Sequence, residues 1–148
     1  MAKREFKFKD ITINGKHMRI RVDMSRFEKQ FKEAQFYLDS QVMTDMVPYM
    51  PSRTNAFVNL VRARSAALAG SGTVVAGVPP SGRFLYEGKV MIDPVTGSPW
   101  ARPGAKKVVT DRPLTYSNPQ ATTHWFDTAK ERHGKQWVEE TKRIAGGG

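Results

Sequence analysis

The chain has 148 residues, with 24 Lys and Arg side chains against 14 Asp and Glu, which gives a formal net charge of +10. It contains no cysteine, and this excludes disulfide scaffolds and cysteine-based zinc sites. No stretch approaches the roughly 20 apolar residues of a membrane helix, and the N-terminus lacks a signal-peptide core. These properties predict a single domain, residues 1–148, that stays in water, has no membrane partner and is attracted to polyanions, either nucleic acid or an acidic protein surface.

Residues 6–23 are predicted to form a β-hairpin. Asn14-Gly15 favours a type I′ turn, and apolar and basic residues alternate in the second strand. A bulge near Lys9-Asp10 would bring all apolar residues of the first strand to one face. The two faces would then carry Phe6, Phe8, Ile11, Ile13, Met18, Ile20 and Val22 on one side, and Lys7, Arg19 and Arg21 on the other. The basic face is interpreted as a solvated strand surface or, alternatively, as a contact for an anionic neighbour.

Two amphipathic helices are predicted, over residues 25–47 and 123–144. Ser25 and Glu28 have the spacing of a capping box at the start of the first, and Pro48 ends it. The second carries Trp125 and Trp137 on one broad face, which we expect in the core or at a subunit seam. Thr122 or Thr123 is expected to cap this second helix.

Residues 56–78 fit two patterns. The apolar residues from Phe57 to Leu68 have helical spacing, but a period of two also fits, and the turn at Gly70-Ser71-Gly72 suits a hairpin with a returning strand. Residues 79–120 hold seven of the nine prolines, and only short pieces such as Phe84-Leu85-Tyr86 or Val108-Val109 could be strands.

A Pro- and Gly-rich stretch of that length is unusual in a compact domain. Because it carries aromatic and basic residues, we interpret residues 79–120 as an extended arm that becomes ordered against a neighbouring subunit. The alternative is an Ω-like loop that folds back on its own core. The residues concerned are Phe84, Tyr86, Trp100, Arg102, Lys106, Lys107 and Arg112.

No catalytic, metal or cofactor pattern is found. His17, His124 and His133 lack metal-ligand spacing, and neither a P-loop nor a nucleophile elbow is present. Asp39, Asp45 and Asp127 are interpreted as ordinary charges on helix surfaces. We therefore predict neither enzyme activity nor a cofactor. Basic residues beside aromatic ones permit weak, salt-sensitive contact with a nucleic-acid backbone.

Three segments resemble a family of tailed-phage minor capsid, or neck, proteins. The first is Pro48-Tyr49-Met50-Pro51 with Thr54-Asn55-Ala56-Phe57, which follows the long helix; the second is Arg83-Phe84-Leu85-Tyr86-Glu87-Gly88-Lys89; the third runs from Pro119 through Trp125-Phe126-Asp127-Thr128-Ala129-Lys130. The resemblance covers roughly residues 25–145, so the N-terminal hairpin lies outside it. Asn55 replaces the Gly usual at its position, but Asn tolerates the left-handed conformation expected there.

The predicted elements indicate an α+β fold, with antiparallel β-hairpins packed against the two helices and a long Pro/Gly-rich arm; the resemblance favours a hairpin over residues 56–78. It implies a structural virion protein, made in the host cytoplasm, that forms a twelvefold or sixfold ring around the DNA channel of the neck. Implied partners are a portal, adaptor or head-closure protein, a tail-completion or tail-terminator protein, and genomic DNA. A head-closure or tail-terminator ring protein and a small basic nucleic-acid-binding protein are the alternatives.

The prediction assigns two sets of residues to these contacts. Subunit or partner interfaces would use Tyr49, Arg83, Phe84, Tyr86, Trp100 and Arg102, since aromatic residues and Arg dominate interface energetics. Contacts with DNA or another anionic surface would use Lys7, Arg19, Arg21, Lys106 and Lys107.

Overall fold

A computed structural model describes residues 5–146 and has an α+β fold, as predicted. Two small antiparallel sheets accompany the two long helices. The elements, in chain order, are β1 (Ile11–Asn14), β2 (Arg19–Val22), α1 (Ser25–Met46), a 3-10 turn (Val47–Tyr49), α2 (Ala56–Leu68), α3 (Gly82–Glu87), β3 (Lys89–Ile92), β4 (Val108–Pro113) and α4 (Trp125–Ile144).

Helices α1 and α4 pack along each other and form the centre of the molecule. Trp125 is fully buried and Trp137 is 5% exposed, so both belong to the core, one of the two places predicted for them. The Trp137 indole nitrogen donates to Asp45 Oδ2 over 2.6 Å, which gives the polar atom of a buried ring a partner. The other core residues are Val42, Met43, Met46, Met50, Val58, Val61, Val78 and Ala129.

The N-terminal hairpin is present, but its turn and its first strand differ from the prediction. Gly15 N–H donates to Met18 O, so the turn lies at Lys16-His17, and Gly15 does not have the positive φ of a type I′ turn. The first strand begins only at Ile11. Phe6 and Phe8 instead place their rings 5.5 and 5.3 Å from the Phe31 ring of α1. The bulge predicted near Lys9-Asp10 does not form within the sheet, because β1 begins after it and the two rings pack on a helix.

Helix starts also differ in detail. Met24, not Ser25, is the N-cap of α1, and no side chain caps it. The Glu28 carboxylate accepts from Phe8 N–H over 2.8 Å, so it holds the N-terminal segment instead of completing a capping box. His124 is the N-cap of α4, which means that neither Thr122 nor Thr123 caps this helix.

The hairpin predicted over residues 56–78 is wrong, because residues 56–68 form helix α2. Its buried residues Val58, Val61 and Ser65 recur at helical spacing and face the core. Asn55 precedes it with φ +59°, the left-handed conformation expected for this position. Ser65 Oγ within α2 accepts from Val75 N–H, and this hydrogen bond holds the chain that follows the helix beside α2. That returning chain does not form the predicted strand.

Residues 79–120 contain more regular structure than the predicted arm. Phe84-Leu85-Tyr86 lies in helix α3 rather than in a strand, whereas Val108-Val109 does lie in a strand, β4, which pairs with β3. Gly88 ends α3 with φ +68°, and a Cβ there would lie 2.2 Å from a Thr123 methyl carbon, so only glycine fits. Part of residues 79–120 therefore folds onto the core of the molecule. The connection between β3 and β4 is the part that remains largely exposed.

Candidate interaction surfaces

The three segments that carry the family resemblance meet at the start of α4. His124 N–H donates to Tyr86 O over 2.9 Å, and Thr122 N–H donates to Tyr49 O over 3.0 Å. The Tyr86 ring packs edge-on against Trp125 at 4.7 Å, and Phe57 does so at 6.1 Å. These distant parts of the sequence thus build one aromatic cluster.

Tyr49 and Tyr86, two of the predicted interface residues, are consequently half-buried in the molecule itself. Tyr49 has the Arg132 guanidinium 5.3 Å from its ring centroid and His133 beside it. Tyr86 also lies 4.8 Å from His124, whose Nε2 pairs with Glu87. Their main visible role is to hold α4 against the chain that precedes it.

The connection between β3 and β4 begins with a loop, residues 93–102, that we call the Trp100 loop. Its organising group is Asp93, whose side chain is fully buried. The carboxylate accepts from the N–H groups of Val95 and Thr96, and from both the backbone N–H and the guanidinium of Arg102. The Arg102 guanidinium and these N–H groups hold the pKa of Asp93 far below its ordinary value.

Arg102 was predicted as an interface residue, but here it closes the Trp100 loop through its ion pair with Asp93 at 2.9 Å. Asp93 itself was missed in the sequence. Its Pro-Val-Thr-Gly continuation and the Arg nine residues later are the available signals, since Asp commonly accepts from N–H groups that follow it in turns.

Trp100 is presented outward by this loop and is 86% exposed. Val95 on the same loop is 73% exposed, and Trp100 N–H donates to Ser98 Oγ over 3.0 Å. A large indole held in water by an ordered backbone is costly to leave uncovered and is typical of an interface anchor. The structure therefore leaves Trp100 available for the contact that the sequence predicts.

Arg83 and Phe84 line an apolar groove on α3 and the chain before it. The groove has a volume of about 500 Å³ and includes Pro79, Pro80 and Tyr86. Phe84 is half-buried and Arg83 is exposed. Two predicted interface residues thus lie together, with Tyr86 as a third.

The hairpin of β1 and β2 has two chemically different faces, and both are exposed. All residues from 9 to 23 are exposed, so the hairpin has no buried side chain. Register pairs Ile11 with Val22 and Ile13 with Ile20, which places these residues on one face. With Met18, they are 37–63% exposed. Five apolar side chains that share one exposed face form a candidate interaction surface.

The opposite hairpin face is polar and basic. Thr12 pairs with Arg21 and Asn14 with Arg19. Arg21 is bound to Asp10 at 3.0 Å, and Lys7 to Glu5 at 2.9 Å, so part of the predicted positive charge is neutralised locally. The Met24 N–H group and the Arg21 guanidinium hold the pKa of Asp10 below its ordinary value.

Arg19, Lys106 and Lys107 are the predicted anion-contact residues that have no ion-pair partner within residues 5–146. All three are exposed. Among those same residues, no cluster of His, Asp or Glu could hold a metal ion, and no helix is long and apolar enough to cross a membrane.

Asp39 and Asp45 are not the plain surface charges that the sequence suggested. Asp39 is 4% exposed and accepts from Gly70 N–H and Gly72 N–H over 2.8 and 2.9 Å. Asp45 is half-buried and accepts from Trp137. Asp127 is exposed in the first turn of α4, as interpreted. The carboxylates of Asp39 and Asp45 thus stabilise the fold through these hydrogen bonds.

Comparison of the chain with protein-family models, with curated proteins and with solved structures gave no match. The interpretation of these surfaces therefore depends on their geometry and on the sequence resemblance described above.

Proposed function

We propose that this protein is a structural subunit of a tailed-phage neck, which joins the head to the tail as a ring around the DNA channel. It would bind a portal, adaptor or head-closure ring on one side and a tail-completion or tail-terminator ring on the other. The family resemblance supplies this specific role, and the surfaces of the molecule supply a physical reason for assembly.

The observation that carries the proposal is the uncovered apolar face of the β1–β2 hairpin. Isolated two-stranded hairpins are marginally stable in water, and they gain stability when another element covers their apolar face. Within residues 5–146, Ile11, Ile13 and Ile20 remain 49%, 56% and 43% exposed. A neighbouring molecule in an assembly would remove these side chains from water, at about 25 cal/mol per Å².

The Trp100 loop adds a second uncovered surface at the end of a different sheet. Two apolar surfaces on separate elements suit a subunit with neighbours on more than one side. A subunit of a head-to-tail ring in a neck has such neighbours, because it contacts two ring neighbours through different patches and other proteins above and below.

Deletion of the gene from the phage that carries it tests the proposal. We expect filled heads and free tails that remain unjoined under electron microscopy, with joining restored by the gene supplied in trans. Intact particles in the deletion strain would contradict a neck function. Empty heads would point to a role in packaging instead.

A nucleic-acid-binding protein is the second candidate, favoured by the net charge of +10 and by the basic hairpin face. A two-stranded ribbon fits the major groove of DNA. The two candidates differ in affinity: a neck subunit needs weak, sequence-independent contact with passing DNA, whereas a dedicated binder needs nanomolar affinity at physiological salt. A titration with duplex DNA separates them.

A further inference from the structure

We propose that the Trp100 loop of one copy docks in the apolar groove on α3 of the next copy. This inference rests on the proposed head-to-tail assembly and names its contact. The loop supplies a rigid aromatic anchor, and the groove supplies the surface that receives it. The partner that fits the groove is thus a second copy of this chain.

The groove is suited to an indole ring. Its 500 Å³ exceeds the volume of one Trp side chain, and Pro79, Pro80 and Phe84 provide flat apolar surfaces against which a ring can stack. Arg83 lines the groove, is exposed and has no ion-pair partner within residues 5–146. A guanidinium placed over an indole face adds a cation–π attraction, for which Trp is the best acceptor.

The charge distribution is compatible with a second copy as the occupant, which supplies its own exposed Trp100 loop. Two molecules that each carry +10 repel one another unless their contact surfaces are neutral. The stretch 94–101 contains no charged residue, and the groove balances Arg83 against Glu87. This pair of surfaces is therefore one through which two such basic chains can meet with little local repulsion. An acidic partner or DNA would instead be drawn to the cations outside the groove.

The loop does not fill the groove of its own chain. Trp100 is 86% exposed, so its ring is not seated against α3. Strand β3 begins two residues after α3 ends and carries the chain about 13 Å before the loop starts. The contact that we propose is therefore one between molecules, and it is heterologous, because loop and groove are different patches.

The loop is also prepared for docking before any partner arrives. Asp93 fixes the backbone on both sides of Trp100 through Val95 and Arg102. A loop that is already ordered loses less conformational entropy on binding, which favours association.

Cysteine crosslinking tests the contact directly, because the chain has no cysteine of its own. Ala76→Cys, in the groove, and Ala101→Cys, beside Trp100, are mixed and treated with a short bismaleimide. We expect a dimer that contains one copy of each variant, at least tenfold more abundant than with the control pair Ala76→Cys and Glu139→Cys. The Trp100→Ala substitution added to the Ala101→Cys chain should abolish the excess.

Sedimentation equilibrium gives a second measurement on the full chain. Trp100→Ala should weaken self-association at least tenfold at an unchanged melting temperature, whereas Val138→Ala, an exposed residue of α4, should change neither. Self-association should strengthen as salt screens the like charges, the opposite of binding to DNA.

Equal crosslinking of the test and control pairs would overturn the inference, as would self-association that Trp100→Ala leaves unchanged. If chains that keep Trp100 give no crosslink above the control pair, although a Trp100→Ala phage leaves heads and tails unjoined, the loop binds a different protein. In that case the docking proposal fails while the neck function stands. Intact particles in the gene-deletion strain would contradict the neck function alone.

Discussion

At the scale of single residues, buried carboxylates attach loops to helices through hydrogen bonds. Asp39 receives two backbone N–H groups from the turn after α2 and a side-chain amide from Gln35, all within 2.9 Å. Replacing it with Ala would leave the N–H of the buried Gly70 and that of Gly72 without this acceptor. This loss costs about 1–3 kcal/mol for the N–H of the buried Gly70 and less for that of the exposed Gly72.

We therefore predict that Asp39→Ala lowers the free energy of unfolding by about 2–4 kcal/mol in urea denaturation. Asp39→Asn keeps an acceptor oxygen for the glycines and should cost about 1 kcal/mol. Glu33→Ala, on an exposed part of the same helix, is the control and should stay within about 0.5 kcal/mol of the parent. Equal effects of Asp39→Ala and Glu33→Ala would refute this role.

The depressed pKa of Asp93 allows a prediction of how the Trp100 loop responds to pH. Its pKa is depressed in the folded protein, mainly by Arg102, so the ionised form stabilises the loop. Such stabilisation is complete above the unfolded-state pKa of about 3.9 and is lost as pH falls below it toward the folded-state pKa. The loop should hence keep the same order from about pH 5 to pH 8.

Amide NMR signals of Val95 and Arg102 report this order. In the parent we expect constant shifts down to about pH 5 and loss of protection from exchange only at more acidic pH. Asp93→Asn should weaken protection across the whole range and remove this acid transition. A transition near neutral pH in the parent would show that another group controls the loop.

At the scale of elements, sequence periodicity predicted the two long helices but not helix α2. The helices at residues 25–47 and 123–144 were confirmed within two residues at each end, because each buries a long apolar stripe. Helix α2 was mistaken for a hairpin, since Val58 to Ser65 fits both periods and only burial against the core decides.

Features that depend on contacts distant in sequence could not be predicted in the same way. Glu28 accepts from Phe8, twenty residues earlier, instead of capping its own helix. The rings of Phe6 and Phe8 pack against Phe31 of α1 instead of against the hairpin, because a two-stranded hairpin offers little apolar surface. Of the candidate site residues, Trp100 has the exposure expected of an anchor, whereas the exposed Arg102 binds Asp93 within its own loop.

The exposed hairpin face yields a prediction about this element. The double substitution Ile13→Thr with Ile20→Thr changes two cross-strand partners, and Thr retains a high strand propensity. Because Ile13 is 56% and Ile20 43% exposed in the folded protein, we expect the free energy of unfolding to change by less than about 0.5 kcal/mol. Binding of a dye that reports exposed apolar surface should fall.

Val61→Thr is the matched control, since Val61 is fully buried in α2. A hydroxyl introduced there without a partner should cost about 1–3 kcal/mol. If the hairpin double variant loses as much stability as Val61→Thr, the aliphatic face packs against the protein's own body in solution, and the main support for assembly disappears.

At the scale of the whole molecule, one small core carries two protruding elements, the β1–β2 hairpin and the β3–β4 connection. Arg19, Lys106 and Lys107, which have no ion-pair partner within residues 5–146, lie on these two elements and outside the core. This distribution separates two kinds of contact. Apolar patches are available to protein neighbours, while the cations remain available to a polyanion.

We expect duplex DNA to bind weakly, with Kd about 10⁻⁴–10⁻⁶ M at physiological salt and no preference among sequences. The triple variant Arg19→Gln, Lys106→Gln and Lys107→Gln should weaken binding equally for all sequences. Each phosphate contact that it removes should lower the slope of log K against log salt by about one. Fluorescence anisotropy with labelled duplexes at several salt concentrations measures both quantities.

Lys135→Gln with Lys142→Gln, on exposed positions of α4, is the control for loss of net charge alone. If this pair reduces the salt slope as much per charge as the triple variant does, binding is diffuse and the protruding elements have no special role. Nanomolar, sequence-selective binding by the parent would contradict a neck subunit, because DNA must pass through a channel without being retained. The same result would favour the nucleic-acid-binding alternative, in which the hairpin ribbon enters a groove of the duplex.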